Sequence, residues 1–193
     1  VSSPRQRNTR EENQAIKETG EAPEEWDEPK RRQKDVDARW TRKNGVNYYG
    51  YKNHASIDVC HKFIRNYTVT NAAVHDSQVF EELLDDDNSS QDIWADSAYR
   101  SEESLDMLEE RGFREHLQRK GRRGKPLTDR EKQGNRTRSK TRSRIEHIFG
   151  VQTQRAGNLI LRTIGIYRAR AKIGLRNLAF NLDRYALLTR AAG

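Results

Sequence analysis

The chain has 193 residues, with 37 Lys and Arg against 29 Asp and Glu, a formal net charge of +8, and only 33% apolar residues. That length suits one domain, or one domain with an arm. No apolar run approaches the roughly 18 residues of a membrane span, and a single cysteine, Cys60, excludes a disulfide scaffold. No leader-like segment opens the chain, so a cytoplasmic protein with no membrane partner is expected. The first residue is Val1 and the one methionine is Met107, so the sequence reads as the later part of a longer ancestral protein.

Taken in order, residues 1–43 show almost no apolar periodicity and are broken by Pro23 and Pro29. They read as a polar or partly disordered arm with a short helix from Thr9 to Glu18, and Asp35 and Asp37 within it read as solvated. Asn44-Gly45 is a turn signal that opens the main domain, residues 44–188. Tyr48–Asp58 and Lys62–Val74, rich in aromatic and β-branched residues, predict an antiparallel hairpin. Asp76 or Ser77 then caps a helix over Gln78–Leu84. Asp92-Ile-Trp-Ala-Asp96 predicts a short buried strand with a carboxylate at its C-terminal end. A helix over Ser101–Glu110 stops at Gly112, and Phe113–Leu117 predicts another strand. The alternation of strand and helix defines an α/β layer. A basic, glycine-containing loop, Arg119–Lys125, leads to the capping box Thr128-x-x-Glu131 and a long basic helix to about Gln154. A last helix, Ile164–Leu188, carries Ala171, Leu175, Leu178, Leu182 and Tyr185 at steps of 4, 3, 4 and 3, expected to face the core.

Charge is distributed in blocks: residues 1–65 carry a net +3, residues 66–113 a net −11 and residues 114–193 a net +16. A basic surface of that size fits a phosphate backbone, which it binds by releasing counterions. Carboxylates beside such a surface suit metal-assisted phosphoryl chemistry, which needs hard oxygen ligands. Asp96, at the tip of a strand, sits where α/β sheets place their sites, although a turn cap would also use an Asp there. Glu146 is the sole acid between Lys132 and Arg155, one helical turn after Arg142. A surface ion pair accounts for one acid but not for the lack of any other on that helix. Asp58 and Asp76 suit a turn and a cap. Lys52 and His54 share one face of a strand, the histidines and Cys60 have no zinc spacing, and no glycine loop of phosphate-cradling type occurs.

Four runs carry a family resemblance: Tyr49-Gly-Tyr-Lys52-Asn-His54; Ala95-Asp96-Ser-Ala-Tyr99-Arg-Ser101; Arg142-x-Arg-Ile-Glu146-His-Ile-Phe149-Gly150; and the tail from Ile164 through Arg168, Asn177 and Asn181 to Tyr185. In this order they resemble bacterial insertion-sequence transposases, most nearly the group numbered five within the larger group numbered four. The resemblance implies an RNase H-like α/β layer, with flanking helices and a basic C-terminal helical region. It also implies a triad of two Asp and one Glu that binds two Mg²⁺ or Mn²⁺ ions, and metal-dependent cleavage and transfer of DNA strands at element ends. Asp96 matches the second family Asp, Glu146 the Glu, and both would be catalytic and metal-binding residues. Lys52, Arg142, Arg144, Arg119, Arg122, Arg123 and Lys125 would contact DNA, the implied partner, on which a homodimer would assemble. Two departures stand out. Thr153 occupies the position seven residues after the Glu where the family often has a basic side chain. The first family Asp, with its strand, would lie upstream of Val1, so the chain reads as a truncated and inactive copy. A non-catalytic DNA-binding remnant or regulator is the alternative, and the acidic block around Asp96 argues against a purely structural RNA-associated protein.

Overall fold

The computed structural model describes residues 1–4, 6–43, 45–155 and 160–192. The chain is mixed α/β and divides into two compact units: residues 1–55, 67–75 and 152–193 form the first, residues 56–66 and 76–151 the second. Asn44 of the predicted turn lies outside the described residues.

In the first unit, Ser3–Pro4 (β1) pairs in parallel with Ile160–Leu161 (β7). Arg10–Thr19 (α1) begins at Thr9, whose side chain accepts from the Glu12 N–H while Glu12 reaches back to the Thr9 N–H. It ends at Gly20, at φ +78°. Glu28–Gln33 (α2) starts at Asp27 with Pro29 in its first turn. Arg39–Lys43 (β2) runs antiparallel to Val46–Ile57 (β3), with Arg39 opposite Gly50. Ile64–Asn71 (β4) forms the other side of the three-stranded sheet β2-β3-β4. Tyr49, Tyr51, Val69, Leu161, Ala169 and Ile173 make one buried cluster with Ala38, flanked by Trp40 and Ile166.

Residues 1–43 thus contribute two helices and two strands, β1 and β2, to this unit, and the polar Ser2, Asn8, Asn13 and Asp35 among them are buried. Asp35, expected in solvent, is fully buried. Its carboxylate accepts from Tyr51 Oη at 2.7 and 2.8 Å, from the N–H groups of Asp37 and Ala38, and from Gly165 N at 3.1 Å. Asp37 accepts from Ile166 N at 2.8 Å. The two acids therefore satisfy the orphan donors at the start of Ile166–Ala192 (α5) and face its positive end. Periodicity could not reveal this, because the burial is polar.

Ser2 exchanges two 2.8 Å backbone bonds with Tyr51. Gly50, at φ +136°, makes room for that approach: a Cβ there would stand 2.1 Å from the Ser2 carbonyl oxygen.

The second correction concerns α5. The helix buries Ala169, Ile173 and Asn177, whereas Leu175, Leu178, Leu182 and Tyr185 are each more than half exposed. Small Ala169 and the amide of Asn177, which bonds Asn53 and Gln152, fit the sheet-facing side. The 3-4 spacing of the leucines correctly indicates an amphipathic helix but not the side that packs within the chain.

In the second unit, the predicted helix over Gln78–Leu84 is replaced by two 3₁₀ turns, Asp76–Val79 and Glu81–Leu83. The bonds run i→i+3, from Leu83 N to Phe80 O and from Leu84 N to Glu81 O. A segment so short does not recover the cost of nucleating an α-helix. Asp92–Ala95 (β5) and Arg114–Leu117 (β6) pair in parallel, joined through Glu102–Glu110 (α3). Phe80, Leu84, Leu108 and Leu117 are the core, with Ile93, Ala95 and Leu105 against them. Asp129–Arg155 (α4), capped by Thr128 and Glu131 as expected, is the long basic helix, whose last four residues belong to the first unit. Among the described residues no helix is long and apolar enough to cross a membrane.

Candidate active site

Alternation along β5 turns Ile93 and Ala95 into the core of the second unit and ends the strand at Asp96. Asp96 has extended backbone, φ −81° and ψ 176°, and its Oδ1 accepts from Ala98 N at 2.7 Å. It caps the 3₁₀ turn Ser97–Tyr99, while its second oxygen points toward α4. On α4, Arg142 and Glu146 lie one turn apart, with Arg142 Nη2 at 2.5 Å from Glu146 Oε1 and Nη1 at 3.9 Å from Asp96 Oδ2. A single guanidinium therefore gathers two carboxylates from elements 50 residues apart in sequence. The Glu146 side chain is 57% exposed and that of Asp96 31%, so both acids are reached by solvent.

The Nε atoms of Arg142 and of Arg138, one turn earlier, are buried and make no hydrogen bond among the described residues. Tyr99 packs its ring on Phe80 with centroids 5.0 Å apart. Burial and the negative charges of Asp76 and Asp96 push its phenol far above the ordinary range, so it stays a neutral donor. Asp76, read from sequence as a cap, thus acts on the same tyrosine as Asp96. Glu115 is a further residue that the sequence reading missed. Burial opposes its ionisation, yet the Leu117 N–H and Arg100 outweigh that and hold its carboxyl below the usual range.

The other sequence-predicted residues have separate places. Lys52 Nζ donates to Val74 O at 2.7 Å, in the first unit. Arg144 donates to Val59 O and so braces the hairpin tip. Arg119 pairs with Glu131 at 3.2 Å and its backbone N–H bonds Asn135. Arg122, Arg123 and Lys125 are exposed on the loop, which is closed by a two-way backbone bond between Arg122 and Lys125. Arg155, the basic residue nearest Thr153, is paired with Asp183 on α5. His54 is buried and bonds Thr70, a core role.

The donor set at Asp96 and Glu146 is all carboxylate oxygen, which fits Mg²⁺ or Mn²⁺ in kind. Two carboxylates are few for such an ion, and among the described residues no group of three or more acidic, histidine or cysteine side chains stands close enough to hold one.

Asp96 at the tip of a parallel strand and Glu146 on α4 are thus linked through Arg142. Residues 18–182 match the transposase DDE domain, and the chain belongs to that family. The transposase for insertion sequence element IS1106 of Neisseria meningitidis serogroup B is 31% identical over 153 residues, which cover 79% of this chain and 53% of the relative. The chain thus spans about half the length of that relative. No solved structure matches it.

Proposed function

We propose that the chain carries two of the three carboxylates of an insertion-sequence transposase, Asp96 and Glu146, and that the complete protein cleaves and transfers DNA strands at the ends of its element. The carrying observation is the Arg142 guanidinium shared by Asp96 and Glu146. Asp96 and Glu146 would hold Mg²⁺ or Mn²⁺ together with a third carboxylate, and the bound ions would activate the attacking oxygen and neutralise the leaving one. Arg142 would orient both acids. Exposed Arg122, Arg123 and Lys125 would add phosphate contacts that set affinity and not sequence. The neutral phenol of Tyr99 would keep the Asp96 turn rigid against Phe80.

The third carboxylate would come from a strand outside the 193 residues. Val1 and Ser2 run antiparallel to β3 beside Tyr51, and among the described residues no strand follows them along that edge over residues 52–57. A strand laid there would enlarge the three-stranded sheet. The 193 residues alone would then bind DNA without cutting it.

The test is a cleavage and strand-transfer assay on the element's own ends with Mg²⁺ or Mn²⁺. It compares this chain, a version extended upstream by the Asp-bearing strand, and Asp96→Ala and Glu146→Ala in the extended version. Activity is expected only in the unsubstituted extended protein. Activity of the 193-residue chain would overturn the three-carboxylate reading, and an active Asp96→Ala or Glu146→Ala protein would remove that residue from the site.

A further inference from the structure

The ribbon formed by β2 and β3 is anchored at its root and bare at its tip. Tyr49 and Tyr51 lie in the core of the first unit with Trp40 packed against them, and Trp40 Nε1 donates to Asn8 O at 3.0 Å. Beyond them the strands go on pairing, Thr41 with Tyr48, Arg42 with Asn47 and Lys43 with Val46, and the turn passes through Gly45 at φ +79°. Arg42, Lys43 and Asn47 are exposed, as are Val46 at 52% and Tyr48 at 40%, whereas the next residue, Tyr49, is 1% exposed. Among the described residues the side chains of Arg42 and Lys43 make no hydrogen bond or ion pair. Residues 38–57 hold four Lys or Arg and no acid, so nothing within the ribbon offsets its positive charge.

We propose that this tip is a DNA-contacting element that enters the major groove of a duplex. The inference rests on the transposase reading above and deepens it by naming a DNA contact on residues that reading does not use. Charge comes first: an all-basic projection is complementary to a phosphate backbone. Size comes second. Three rungs beyond Trp40 and Tyr49 advance about 10 Å at roughly 3.3 Å per residue, close to the ~8.5 Å depth of the major groove. Two strands about 4.8 Å apart, with their side chains, fit the ~12 Å width of that groove and not the ~6 Å of the minor one. Chemistry comes third. Alternation sends Arg42 and Asn47 to one face of the ribbon and Lys43, Val46 and Tyr48 to the other, so each backbone flanking the groove meets a cation. Asn47 and Val46 are then left to the base edges, where an amide suits adenine and an apolar group the thymine methyl. A protein partner is less well served, because so few side chains fall far short of the roughly 800 Å² per partner of a stable interface.

The experiment follows binding of a short duplex by anisotropy between about 50 and 200 mM salt. It compares the 193-residue chain, Arg42→Ala with Lys43→Ala, and Arg122→Ala with Arg123→Ala on the basic loop. Loss of two phosphate contacts at the ribbon should make the slope of log affinity on log salt shallower by about 2 and weaken binding about 10-fold or more near 0.1 M salt. Arg42→Lys with Lys43→Arg should restore both, and the far-ultraviolet circular dichroism of every variant should match that of the unsubstituted chain, since the tip is exposed. Cross-linking reads the groove. With Cys60→Ser, Val46→Cys should exchange onto a mixed disulfide tethered at cytosine N4, in the major groove, and not onto one tethered at guanine N2, in the minor groove. Full affinity in the ribbon variant beside a loss in the loop variant, the result expected if the tip serves a protein surface, overturns the inference and leaves the transposase reading standing. Cross-linking from the minor groove alone does the same. No duplex binding by the unsubstituted chain at about 50 mM salt overturns both.

Discussion

Acids cluster in both units, and they are held in opposite ways. In the first unit Asp35 is fully buried and its oxygens are taken up by a tyrosine hydroxyl and backbone N–H groups from three places in the chain. In the second, Asp96 accepts one short backbone bond, Glu146 is more than half exposed, and what they share is a long-armed cation. The first arrangement consumes the lone pairs of the carboxylate to organise a helix start and a sheet. The second leaves part of each carboxylate turned toward solvent. The difference separates an acid committed to the fold from two that are less so, and substitution should reveal it as a difference in stability.

The largest effect belongs to Asp35. Asp35→Ala strands the Tyr51 hydroxyl and the N–H groups of Ala38 and Gly165 without an acceptor, each costing about 1–3 kcal/mol when buried, and removes the negative charge at the head of α5. A loss of about 3–5 kcal/mol is expected from urea unfolding. Asp35→Asn keeps the shape and one acceptor oxygen and should lose less, about 2–3 kcal/mol. A loss below about 1 kcal/mol in the Ala variant, the range of an exposed acid, would erase the distinction between the two clusters.

Those same acids mark where sequence reasoning stops. The hairpin, the β5 strand with Asp96 at its tip, α3 with the glycine that ends it, and the capping box of α4 are all legible, because each follows from local alternation or a cap within a few residues. The Asp96–Arg142–Glu146 grouping was legible in part: the 4-residue step joins Arg142 to Glu146, and only the motif resemblance linked them to Asp96. Asp35 was illegible because its partners, Tyr51 and Gly165, lie 16 and 130 residues away, and polar burial leaves no hydrophobic period. Strand β2 was hidden by its composition, Arg-Trp-Thr-Arg-Lys, which reads as arm and becomes strand by pairing with Val46–Gly50. For α5 the period was read correctly and the face was not, since packing within the chain selected Ala169 and Asn177 over leucine.

An intermediate effect is expected at Glu12, which resembles Asp35 in being committed to the fold but lies nearer solvent. Burial disfavours its charge, but the Thr9 N–H, Lys30 and Lys34 outweigh burial and hold its carboxyl at about 2, against an ordinary value of 4.5. A folded-state value below the unfolded one gives stability that is fully present above about pH 4.5 and is lost as pH falls toward 2. Glu12→Gln should cost about 1–2 kcal/mol at neutral pH, a capping-box loss plus two partly screened ion pairs. The same substitution should cost nothing near pH 2, where the native glutamate is itself protonating. Unfolding measured across that range, with a constant difference between the two proteins, would show that Glu12 acts through packing and not through its charge.

The smallest stability effects should fall on the site itself. Glu146→Ala removes one solvent-exposed ion pair on a helix and installs the best helix former, so its cost should stay within about 0.5 kcal/mol in either direction. Asp96→Ala gives up the cap on the Ser97–Tyr99 turn and should cost about 1 kcal/mol, still well short of Asp35. Both substitutions also free the Arg142 guanidinium. The double variant should therefore bind DNA at least as tightly as the unsubstituted chain, because two negative charges beside Arg142 have been removed. Anisotropy with a short duplex reads that directly. If Asp96→Ala instead costs several kcal/mol, or the double variant loses DNA affinity while remaining folded, the two acids hold Arg142 for the sake of the fold, and the contrast with Asp35 collapses.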